Sequence, residues 1–478
     1  MIVMKFGGTS VGDGEAIKRA AELVHGALQE GRQIVVVVSA MSGVTDALLS
    51  AATSAARGDG DTFRHTRWTL SDRHREAIAD AISDEDTRLA IVEEVEGLLS
   101  DFENLCRSIH ILGELTARGS DAVASLGERM AVRIVAAALR ERGVQAQAVE
   151  ATELIITNGQ PFDRLRTQHG AASPLMEETR KAARARLLPL LADGVTPVVT
   201  GYIAATREGV TTTLGRGGSD YTAAILGACL EAEEVWIWTD VDGVMTADPR
   251  VVPEARTLPE ISYAEAAELS YFGAKVLHPK TILPAVEQGI PLRILNTFNP
   301  THPGTLIVAD ARPSHLTVKG ITSIKGLSLI TVEGRGMLGV PGIAARVFSA
   351  VAGEGISVLM ISQSSSEQNI CFVIRQEATR RALRALEAAF ELELARRNVD
   401  RIWAQEGVAI VAAVGAGMKG TPGIAAKVFG ALGKHGINVI SIAQGSSEYN
   451  ISFVVDEGDM EDAVRYIHEE FDLGRSEC

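Results

Sequence analysis

The sequence contains few cysteines, few aromatic residues and no long hydrophobic run. Among its 478 residues are four cysteines, and aromatic residues make up 5%. The cysteines form no CxxC pair, which argues against a zinc site and favours a reduced, cytoplasmic protein. No apolar run approaches the ~18 residues of a membrane-spanning helix, and the N-terminus lacks the layout of a secretion signal. We therefore expect a cytoplasmic protein without a membrane partner.

Basic residues are also scarce relative to acidic ones. The chain has 46 lysines and arginines against 61 aspartates and glutamates, a net charge of −15. Binding of nucleic acid or of an anionic membrane needs basic patches, so we expect no nucleic-acid partner. An anionic substrate would need a local cationic site. At about 150 residues per domain, the length suggests two to four domains.

The C-terminal third contains an internal repeat. Residues 341–373 and 422–454 align without a gap at an offset of 81, with 20 of 33 positions identical. Each copy reads as a strand, a helix, two strands around a polar turn and a second helix. Pro341 and Pro422 stand where the first helix of each copy could begin, since proline suits the first turn. The sequence therefore predicts two βαββα units.

The strands also suggest how the two units are connected. The first copy continues into a fourth strand near Arg401–Ala404, whereas the second copy simply ends. A spare β-like segment, His315–Ile324, precedes the first copy. We infer that this segment supplies the missing strand of the second unit, so that the first unit is inserted within the second.

The first 300 residues have a different pattern. Apolar runs rich in β-branched residues, Ile34–Val38, Thr196–Val199 and Val235–Thr239, alternate with helical stretches. This pattern is typical of an α/β sheet buried on both faces. Residues 62–142 are mostly helix-like and predict a helical subdomain. The proline-containing segment 299–314 is interpreted as the linker to the repeats.

Two glycine-rich loops join strands to helices. Lys5-Phe6-Gly7-Gly8-Thr9-Ser10 follows the first strand, and Leu214-Gly215-Arg216-Gly217-Gly218-Ser219-Asp220 follows three threonines. Backbone N–H groups in such loops approach anions closely, and the following helix N-terminus favours negative charge. Either loop alone could be a plain βα turn. Two loops, each with a cation, predict a site that handles two anions.

Other polar clusters follow predicted strands or open helices. Trp238–Val244, with Asp240 and Asp242, ends a buried strand, where ligands of α/β sheets gather. Its aspartates are turn and cap residues or, as a weaker alternative, metal ligands. Ser39–Thr45, Glu128 and Phe272–Pro279 could likewise bind a small ligand or only cap helices.

Taken together, these motifs resemble those of aspartate kinases. The matching segments are KFGGTSV (5–11), VVSAMSGVT (37–45), GER (127–129), GYIAA (201–205), TTTLGRGGSDYTA (211–223), WTDVDGVMTADPR (238–250) and FGAKVLHP (272–279). The repeats resemble ACT domains, which bind small amino acids. Because the chain stops at Cys478, we expect no fused homoserine dehydrogenase half, and thus a monofunctional member of the family.

The resemblance implies an amino-acid-kinase-type α/β three-layer sandwich with a helical subdomain, followed by two ferredoxin-like βαββαβ ACT domains. We expect a catalytic domain over 1–298, a linker with the donated strand over 299–326, and ACT domains over 327–405 and 406–478. The implied reaction is phosphorylation of the L-aspartate side-chain carboxylate by ATP with Mg²⁺. This is the first step towards lysine, threonine and methionine.

The resemblance also assigns roles residue by residue. Catalysis falls to Lys5, Asp220 and Lys275. Aspartate would be bound by Ser39, Thr45, Glu128, Tyr202 and Arg216. ATP would be bound by Lys5, Gly7, Gly8, Ser10, Gly217, Gly218, Ser219, Thr239, Asp240, Met245, Arg250, Lys275 and Val276. No residue is assigned as a protein metal ligand. Many relatives carry tyrosine at the position of Met245, so this chain departs from them in the nucleotide pocket.

An amino-acid effector is expected at the polar turns of the repeats. The implied residues are Met337, Ile361, Gln363, Asn369, Ile442, Gln444 and Asn450. The IxQxSSE pattern is more similar to threonine-sensitive than to lysine-sensitive relatives, so threonine is favoured, while Glu367 and Glu448 would suit lysine. The exposed edges of two separate four-stranded sheets predict a homodimer or higher homo-oligomer formed through the ACT domains. Another carboxylate kinase on the same scaffold, and a non-catalytic amino-acid sensor, remain alternatives.

Overall fold

The computed structural model describes residues 1–159, 172–273, 277–312, 316–364, 368–445 and 447–475. The elements of the N-terminal part are β1 (Ile2–Phe6), α1 (Gly14–Gln29), β2 (Ile34–Val38), α2 (Val44–Ala56), α3 (Gly60–Ala81), α4 (Glu85–Leu112), α5 (Ala117–Ala124), α6 (Leu126–Glu141), β3 (Ala146–Val149), β4 (Ile156–Thr157), α7 (Met176–Ala192), β5 (Thr196–Thr200), β6 (Ile203–Thr206), β7 (Thr211–Thr213), α8 (Gly218–Leu230), β8 (Glu234–Thr239), β9 (Glu260–Ser262), α9 (Tyr263–Tyr271), α10 (Leu283–Glu287), β10 (Leu292–Asn296) and β11 (Thr305–Val308).

The C-terminal part repeats one pattern. Its elements are β12 (Gly320–Glu333), α11 (Ile343–Gly353), β13 (Met360–Gln363), β14 (Asn369–Arg375), α12 (Thr379–Ala389), α13 (Glu391–Ala395), β15 (Arg401–Val414), α14 (Ile424–Lys434), β16 (Ser441–Ala443), β17 (Asn450–Asp456) and α15 (Met460–Glu470). The order strand, helix, two strands and helix thus occurs twice, and the first copy adds α13.

An eight-stranded sheet forms the centre of the N-terminal part. Its strand order is β3-β5-β2-β1-β8-β10-β11-β9, with β1 parallel to both β2 and β8. Alternate residues of β1 face two cores: Met4 and Phe6 pack with α1 and the helical subdomain, whereas Val3 packs with α7 and α8. Burial on both faces explains the continuous apolar runs of these strands and confirms the three-layer prediction.

Helices α3 to α6 form the helical subdomain predicted for residues 62–142. They pack on α1 and α2 through apolar side chains such as Phe63, Leu99 and Phe102, each at most 1% exposed. The helices begin at side-chain caps: Asp59 for α3, Asp84 for α4 and Thr116 for α5. These caps bind backbone N–H groups that have no partner inside the helix.

The segment interpreted as a linker includes a strand of the central sheet. Within 299–314, β11 pairs antiparallel with β10 and parallel with β9. Thr305 and Ile307 are fully buried there, at 0% exposure. The prolines at 300 and 303 precede the strand and obscured a short apolar run that the sheet buries.

The repeats share one continuous sheet. Its order is β13-β14-β12-β15-β17-β16, and β12 and β15 each run through both copies for 14 residues. Gly320–Ile324 of β12 pairs with the second copy's strand, and Arg401–Gln405 of β15 pairs with the first copy's strand. The register shifts near Gly326, where the backbone has a φ of +72°. The expected domain boundaries 326/327 and 405/406 thus fall inside strands; they remain predictions.

The first helix of each copy begins later than the prolines suggest. Helices α11 and α14 start at Ile343 and Ile424, each preceded by a glycine with a φ near +90° (Gly342 +91°, Gly423 +89°). A left-handed backbone favours glycine. Glycine, rather than proline, therefore sets the start of these helices. Within the described residues, none of the helices has the length and apolarity required to cross a bilayer.

Candidate active site

A cavity of about 330 Å³ opens near the carboxyl ends of β1 and β2, where the glycine-rich loops meet. Its walls come from α2, α6, the β5–β6 turn and the N-terminus of α8. The lining residues are Lys5, Ser39, Thr45, Asp46, Leu49, Glu128, Tyr202, Gly215, Arg216, Gly217, Gly218, Ser219 and Asp220. Residues far apart in sequence meet here because parallel strands place their carboxyl ends along one edge of the sheet.

Lys5 and Asp220 form an ion pair in this cavity. The Nζ of Lys5 lies 2.6 Å from Oδ1 of Asp220, and the side chains are only 10% and 13% exposed. Lys5 belongs to β1 and Asp220 to the first turn of α8, so the pair ties the strand to the second glycine-rich loop. The carboxylate holds a cation at the point where two N–H-rich loops converge.

Glu128 is buried, and none of the cations among the described residues forms an ion pair with it. Its side chain lies in the first turn of α6, and Oε1 accepts a hydrogen bond from the backbone N–H of Ala40 at 3.2 Å. Its Oε2 is buried and has no hydrogen-bond partner within the part of the chain that the structure describes. Burial raises the pKa of Glu128 to about 8. A ligand ammonium group would satisfy this oxygen and stabilise the carboxylate.

Two glycines that sequence reasoning left without a role allow the walls to meet. A Cβ on Gly127 would lie 2.8 Å from the Ala40 Cβ, and one on Gly201 would lie 2.6 Å from the Ser219 Oγ. Both contacts are closer than side chains tolerate. The cavity residues Asp46 and Leu49 were also missed. Their position in α2 directly after Thr45 was the available signal.

The predicted nucleotide-binding residues are only partly at this cavity. Gly217, Gly218 and Ser219 line it, whereas Gly7 and Gly8 lie beside it in the first loop. A Cβ on Gly7 would lie 3.4 Å from Lys5 Nζ. Because Gly7 has no side chain, its backbone lies directly beside the lysine ammonium group. The loop is anchored to β8 because Gly7 N–H donates to the Trp238 carbonyl at 3.1 Å.

Ser10 belongs to the first loop, where it was predicted to line the phosphate site, and that role stays a prediction. Its side chain is fully buried, donates to the Trp238 carbonyl at 3.3 Å and accepts from the Thr297 hydroxyl at 2.7 Å. Both interactions face the protein interior. The hydroxyl therefore holds the loop in place instead of facing the cavity.

Arg250, which was predicted to bind ATP, lies at the surface, and its role stays a prediction. It forms a bidentate pair with Asp248, with Nη2 2.6 Å from Oδ2, and its side chain is 79% exposed. The surrounding segment packs on the second repeat, since Arg465 donates to the Val251 carbonyl at 2.9 Å. Thr239 and Asp240 lie at the end of β8, and Met245 bridges to Thr257. Lys275 and Val276 lie outside the described residues.

The predicted effector residues lie on the shared C-terminal sheet. Met337 is buried in a turn, Ile361 and Gln363 are exposed on β13, and Ile442 and Gln444 are exposed at β16. The edge strands approach each other, because the Ser362 hydroxyl donates to the Ile442 carbonyl at 3.3 Å. Asn369 and Asn450 begin β14 and β17. Asn369 pairs with Glu333 at the end of β12, whereas Asn450 pairs with Val414, opposite Gly320 at the start of β12, so the two asparagines lie at opposite ends of the shared sheet. Glu367 lies outside the described residues.

Comparison with known proteins agrees with this architecture. The model of the amino acid kinase family matches residues 1–296, and that of the ACT domain matches residues 330–390 and 411–471. Fold and site thus define an amino acid kinase followed by two ACT domains. The lysine-sensitive aspartokinase 3 of Escherichia coli is 35% identical over 478 residues, covering 98% of each chain.

The crystal structure of E. coli aspartokinase III with aspartate and ADP has a TM-score of 0.81 at 32% identity, covering 98% of this chain and 99% of that one. Its complex with lysine and aspartate has a TM-score of 0.77 at 33% identity, with the same coverage. The chain belongs to the aspartokinase family. It spans about half, 51%, of the bifunctional aspartokinase/homoserine dehydrogenase 2 of Arabidopsis thaliana, at 37% identity over 99% of this chain.

Proposed function

We propose that this chain transfers the γ-phosphoryl group of ATP to the side-chain carboxylate of L-aspartate. The observation that carries the proposal is the cavity that brings together the Lys5–Asp220 pair, Arg216 and the buried Glu128. These groups complement a ligand with two carboxylates and one ammonium beside a phosphate-binding loop. The E. coli relative was crystallised with aspartate and ADP, which supports the same ligands here.

The chemistry requires charge screening more than proton transfer. An aspartate side chain has an ordinary pKa of about 3.9, so the nucleophile is ionised at neutral pH and needs no general base. Lys5 and the loop amides offset repulsion between the carboxylate and the phosphates, and stabilise charge on the transferring group. The acyl phosphate product is hydrolysed by water, so a water-excluding arrangement around the cavity is expected.

Mg²⁺ fits this inventory as a companion of the nucleotide. Among the described residues, no three histidine, cysteine or carboxylate side chains lie together as a metal-binding group. Mg²⁺ commonly binds through substrate phosphates with one or two carboxylates, and Asp240 at the end of β8 is a candidate. When bound, the ion would neutralise phosphate charge. Lys5 and the loop amides would orient the phosphates.

Substrate recognition is proposed for the other side of the cavity. The Arg216 guanidinium can hold the α-carboxylate through two parallel hydrogen bonds. Glu128 would accept from the α-ammonium group. Ser39 and Thr45 lie on the same wall and offer hydroxyls to the substrate. A substrate that lacks the ammonium would leave Glu128 without a partner.

Lys5→Ala should reduce aspartate-dependent ADP release by at least about 100-fold, because the lysine acts on charge that develops in the transition state. Arg216→Ala should mainly raise the aspartate KM. Lys18→Ala is the matched control, since Lys18 is a surface residue of α1 paired with Glu15. Near-normal turnover of Lys5→Ala would remove Lys5 from the mechanism.

Two other functions are separated by the same assay. Turnover of glutamate or N-acetylglutamate, but not aspartate, would indicate another carboxylate kinase on this scaffold. No turnover with any of the three would favour an amino-acid sensor that retains the fold. The retained pair of Lys5 and Asp220 favours a catalytic protein.

Regulation by threonine is proposed for the ACT domains. The amides of Gln363 and Gln444 can both donate to and accept from a hydroxyl. The E. coli relative is named lysine-sensitive, so lysine is the direct competitor. Millimolar threonine should inhibit the wild type, and Gln363→Ala should weaken that inhibition, with Gln376→Ala as a control amide outside the turns. Inhibition by lysine alone, or by neither amino acid, would overturn this assignment and leave the kinase proposal intact.

We also propose a homo-oligomer formed through the ACT domains. The two units share one sheet, so its edges are β13 and β16 instead of the four edges expected for separate sheets. Ile361 and Ile442 on these strands are 51% and 46% exposed. A monomer at micromolar concentration in sedimentation would contradict this proposal.

A further inference from the structure

Two loops beside the cavity lie directly against each other. We call residues 7–13, after β1, the β1 loop, and residues 39–43, after β2, the β2 loop. The Ser42 N–H donates to the Gly8 carbonyl at 3.1 Å. A Cβ on Gly8 would lie 3.1 Å from the Ala40 carbonyl oxygen. The backbones of the two loops therefore touch at a point where a larger residue would push them apart.

One arginine of the helical subdomain donates hydrogen bonds to both loops. Arg73 lies on α3 and is half-buried. Its Nη1 donates to the Ser42 carbonyl at 2.7 Å, and its Nη2 donates to the Gly12 carbonyl at 3.0 Å. Both nitrogens belong to one planar guanidinium group, so the spacing of the two donors is fixed. Arg73 thus holds the two carbonyls, and with them the two loops, at one separation.

The helix that carries Arg73 is itself packed against the end of the β1 loop. Helix α1 begins at Gly14, directly after this loop. A Cβ on Gly14 would overlap the Asp80 Cβ of α3 and would lie 2.8 Å from the Ala77 carbonyl oxygen. Arg73 lies about one turn before Ala77 on the same helix. The guanidinium group therefore extends from a backbone whose distance from the β1 loop is set by close packing.

Arg73 differs in its partners from the neighbouring arginines of α3. Arg67 and Arg75 both form ion pairs with Glu96 of α4, at 3.3 Å and 2.8 Å, and so join two helices of the subdomain. Among the described residues, no carboxylate forms an ion pair with Arg73. Its charged donors are used on backbone carbonyls instead, where they form stronger hydrogen bonds than a neutral donor would.

The separation of the two loops matters for a reaction between two bound anions. Under the proposed function, the β1 loop faces the phosphates, and Ser39 of the β2 loop contacts aspartate. Phosphoryl transfer needs the attacking and transferring atoms about 3–3.5 Å apart and roughly in line. A shift of one loop against the other changes this distance even if each loop still binds its own ligand. An error of about 1 Å can lower the rate about 100-fold.

We infer that Arg73 is a positioning residue for phosphoryl transfer, which holds the β1 loop and the β2 loop at the separation that the reaction requires. The inference rests on the proposed function and adds to it a residue of the helical subdomain that lies outside the cavity lining. Arg73 touches no substrate in this scheme. It acts through the carbonyls of Gly12 and Ser42.

The test compares Arg73→Met with Arg75→Met in steady-state kinetics of ADP release. Methionine keeps much of the length of arginine but donates no hydrogen bond. Arg73→Met should lower kcat by at least about tenfold, while the KM values for aspartate and ATP stay within about threefold, because each loop keeps its own ligand contacts. Arg75 is the matched control, since its ion pair with Glu96 leaves its side chain 54% exposed. Arg75→Met should leave kcat within about twofold.

Arg73→Lys separates the geometry of the guanidinium group from its charge, and it serves if Arg73→Met folds poorly. A lysine ammonium keeps the charge but lacks the planar fork, so kcat should stay at least about threefold below the wild type. Wild-type kcat in Arg73→Lys would mean that charge alone suffices and would overturn the inference. A lower midpoint of thermal unfolding with unchanged kcat per folded molecule would show a merely structural role and overturn it too, as would equal losses of kcat in Arg73→Met and Arg75→Met.

Amide hydrogen exchange tests the same residue without any turnover. Arg73→Met should speed exchange at least about threefold in peptides that cover residues 7–13 and 39–43, with α4 and α6 at the wild-type rate, because only the two loops lose a contact. Unchanged exchange in both loops, or faster exchange throughout the subdomain, would refute the positioning role. Absence of aspartate phosphorylation by the wild type would instead refute the proposed function, so the two failures are distinguishable.

Discussion

The two copies of the C-terminal repeat share one order of strands and helices but have different neighbours. In the first copy, the turn after β12 is held from within the unit, because the Arg335 N–H donates to Oδ2 of Asp400 at 3.1 Å. At the equivalent turn after β15, the Ala416 N–H donates to Oε1 of Glu265 at 2.8 Å, and Glu265 belongs to the catalytic domain. The duplication thus reproduces the turn. Contact with the catalytic domain gives the second turn Glu265 as its acceptor, in the place that Asp400 has in the first turn.

The Glu265 contact is buried, whereas its counterpart is near the surface. Glu265 is 0% exposed and pairs with Lys319 at 2.9 Å, while Arg335 beside Asp400 is 87% exposed. Burial alone would raise the pKa of Glu265, but hydrogen bonds from the Ser262 and Ala416 N–H groups and from Lys319 outweigh it and lower the pKa. The second copy thus contacts the catalytic domain through a buried interface in which the Glu265 carboxylate is paired with Lys319 and accepts backbone hydrogen bonds.

The largest expected effect comes from breaking that interface. Glu265→Gln should lower the free energy of unfolding by about 3 kcal/mol, because it leaves the Lys319 ammonium buried without a counter-charge. Urea denaturation measures this change. Asp400→Asn is the matched control at the equivalent turn and should cost less than about 1 kcal/mol, since that pair is exposed. Equal losses would mean that both copies depend on their turns to the same degree.

A smaller effect is expected at the asparagines that open β14 and β17. The Asn450 amide donates to the Glu268 carboxylate of α9 and accepts from the Ser452 hydroxyl at 3.2 Å. Asn450→Ala should lower the free energy of unfolding by about 1.5 kcal/mol, because Glu268 loses a hydrogen bond at a partly buried contact. Asn369→Ala is the equivalent change in the first copy, and it should lower the free energy of unfolding by less, because Asn369 is only half-buried. A larger loss at Asn369 would contradict the asymmetry.

The smallest effect depends on pH. His468 of α15 is buried against Thr246 at 2.9 Å, whereas Glu387, at the same place in the first copy, is exposed. Burial lowers the pKa of His468, with Glu254 and Arg256 acting in opposite directions nearby. Below the unfolded value of about 6.5, the unfolded chain binds a proton that the folded chain resists, so stability falls on acidification.

Thermal unfolding at pH 7.5 and pH 5.5 measures this contribution. His468→Gln should reduce the loss of stability between the two conditions, because glutamine does not titrate. Glu387→Gln is the control in the first copy and should leave the loss almost unchanged. An unaltered pH dependence in His468→Gln would show that other groups, such as the fully buried His74 with its pKa of about 4, dominate.

Much of the fold followed from local patterns in the sequence. The strand Ile34–Val38 was predicted with its exact bounds, and the helical subdomain predicted for residues 62–142 is formed by α3 to α6. Buried parallel strands need continuous apolar runs and helices need periodic ones, so both leave a local signal. The strand β11 escaped because it is short and lies among prolines.

The candidate site was predicted as a set of motifs but not as an arrangement. Lys5, Glu128, Arg216 and Asp220 were all named from their loops and helix starts. The burial that raises the pKa of Glu128, and the inward-facing hydroxyl of Ser10, depend on neighbours from other elements. The pairing of Asp248 with Arg250 likewise became visible only in three dimensions.

By itself, the sequence determined the duplication, the strand-and-helix order and the residue types at the anion-binding loops. The tertiary structure decided that both repeats share one sheet, that Glu265 replaces Asp400 at the second turn, and that Lys5 pairs with Asp220. The physical reason is the range of the interactions. The periodicity of apolar residues and the preferences of turn residues act over a few positions of the sequence. Ion pairs and side-chain hydrogen bonds join groups that only the packing of distant elements brings together.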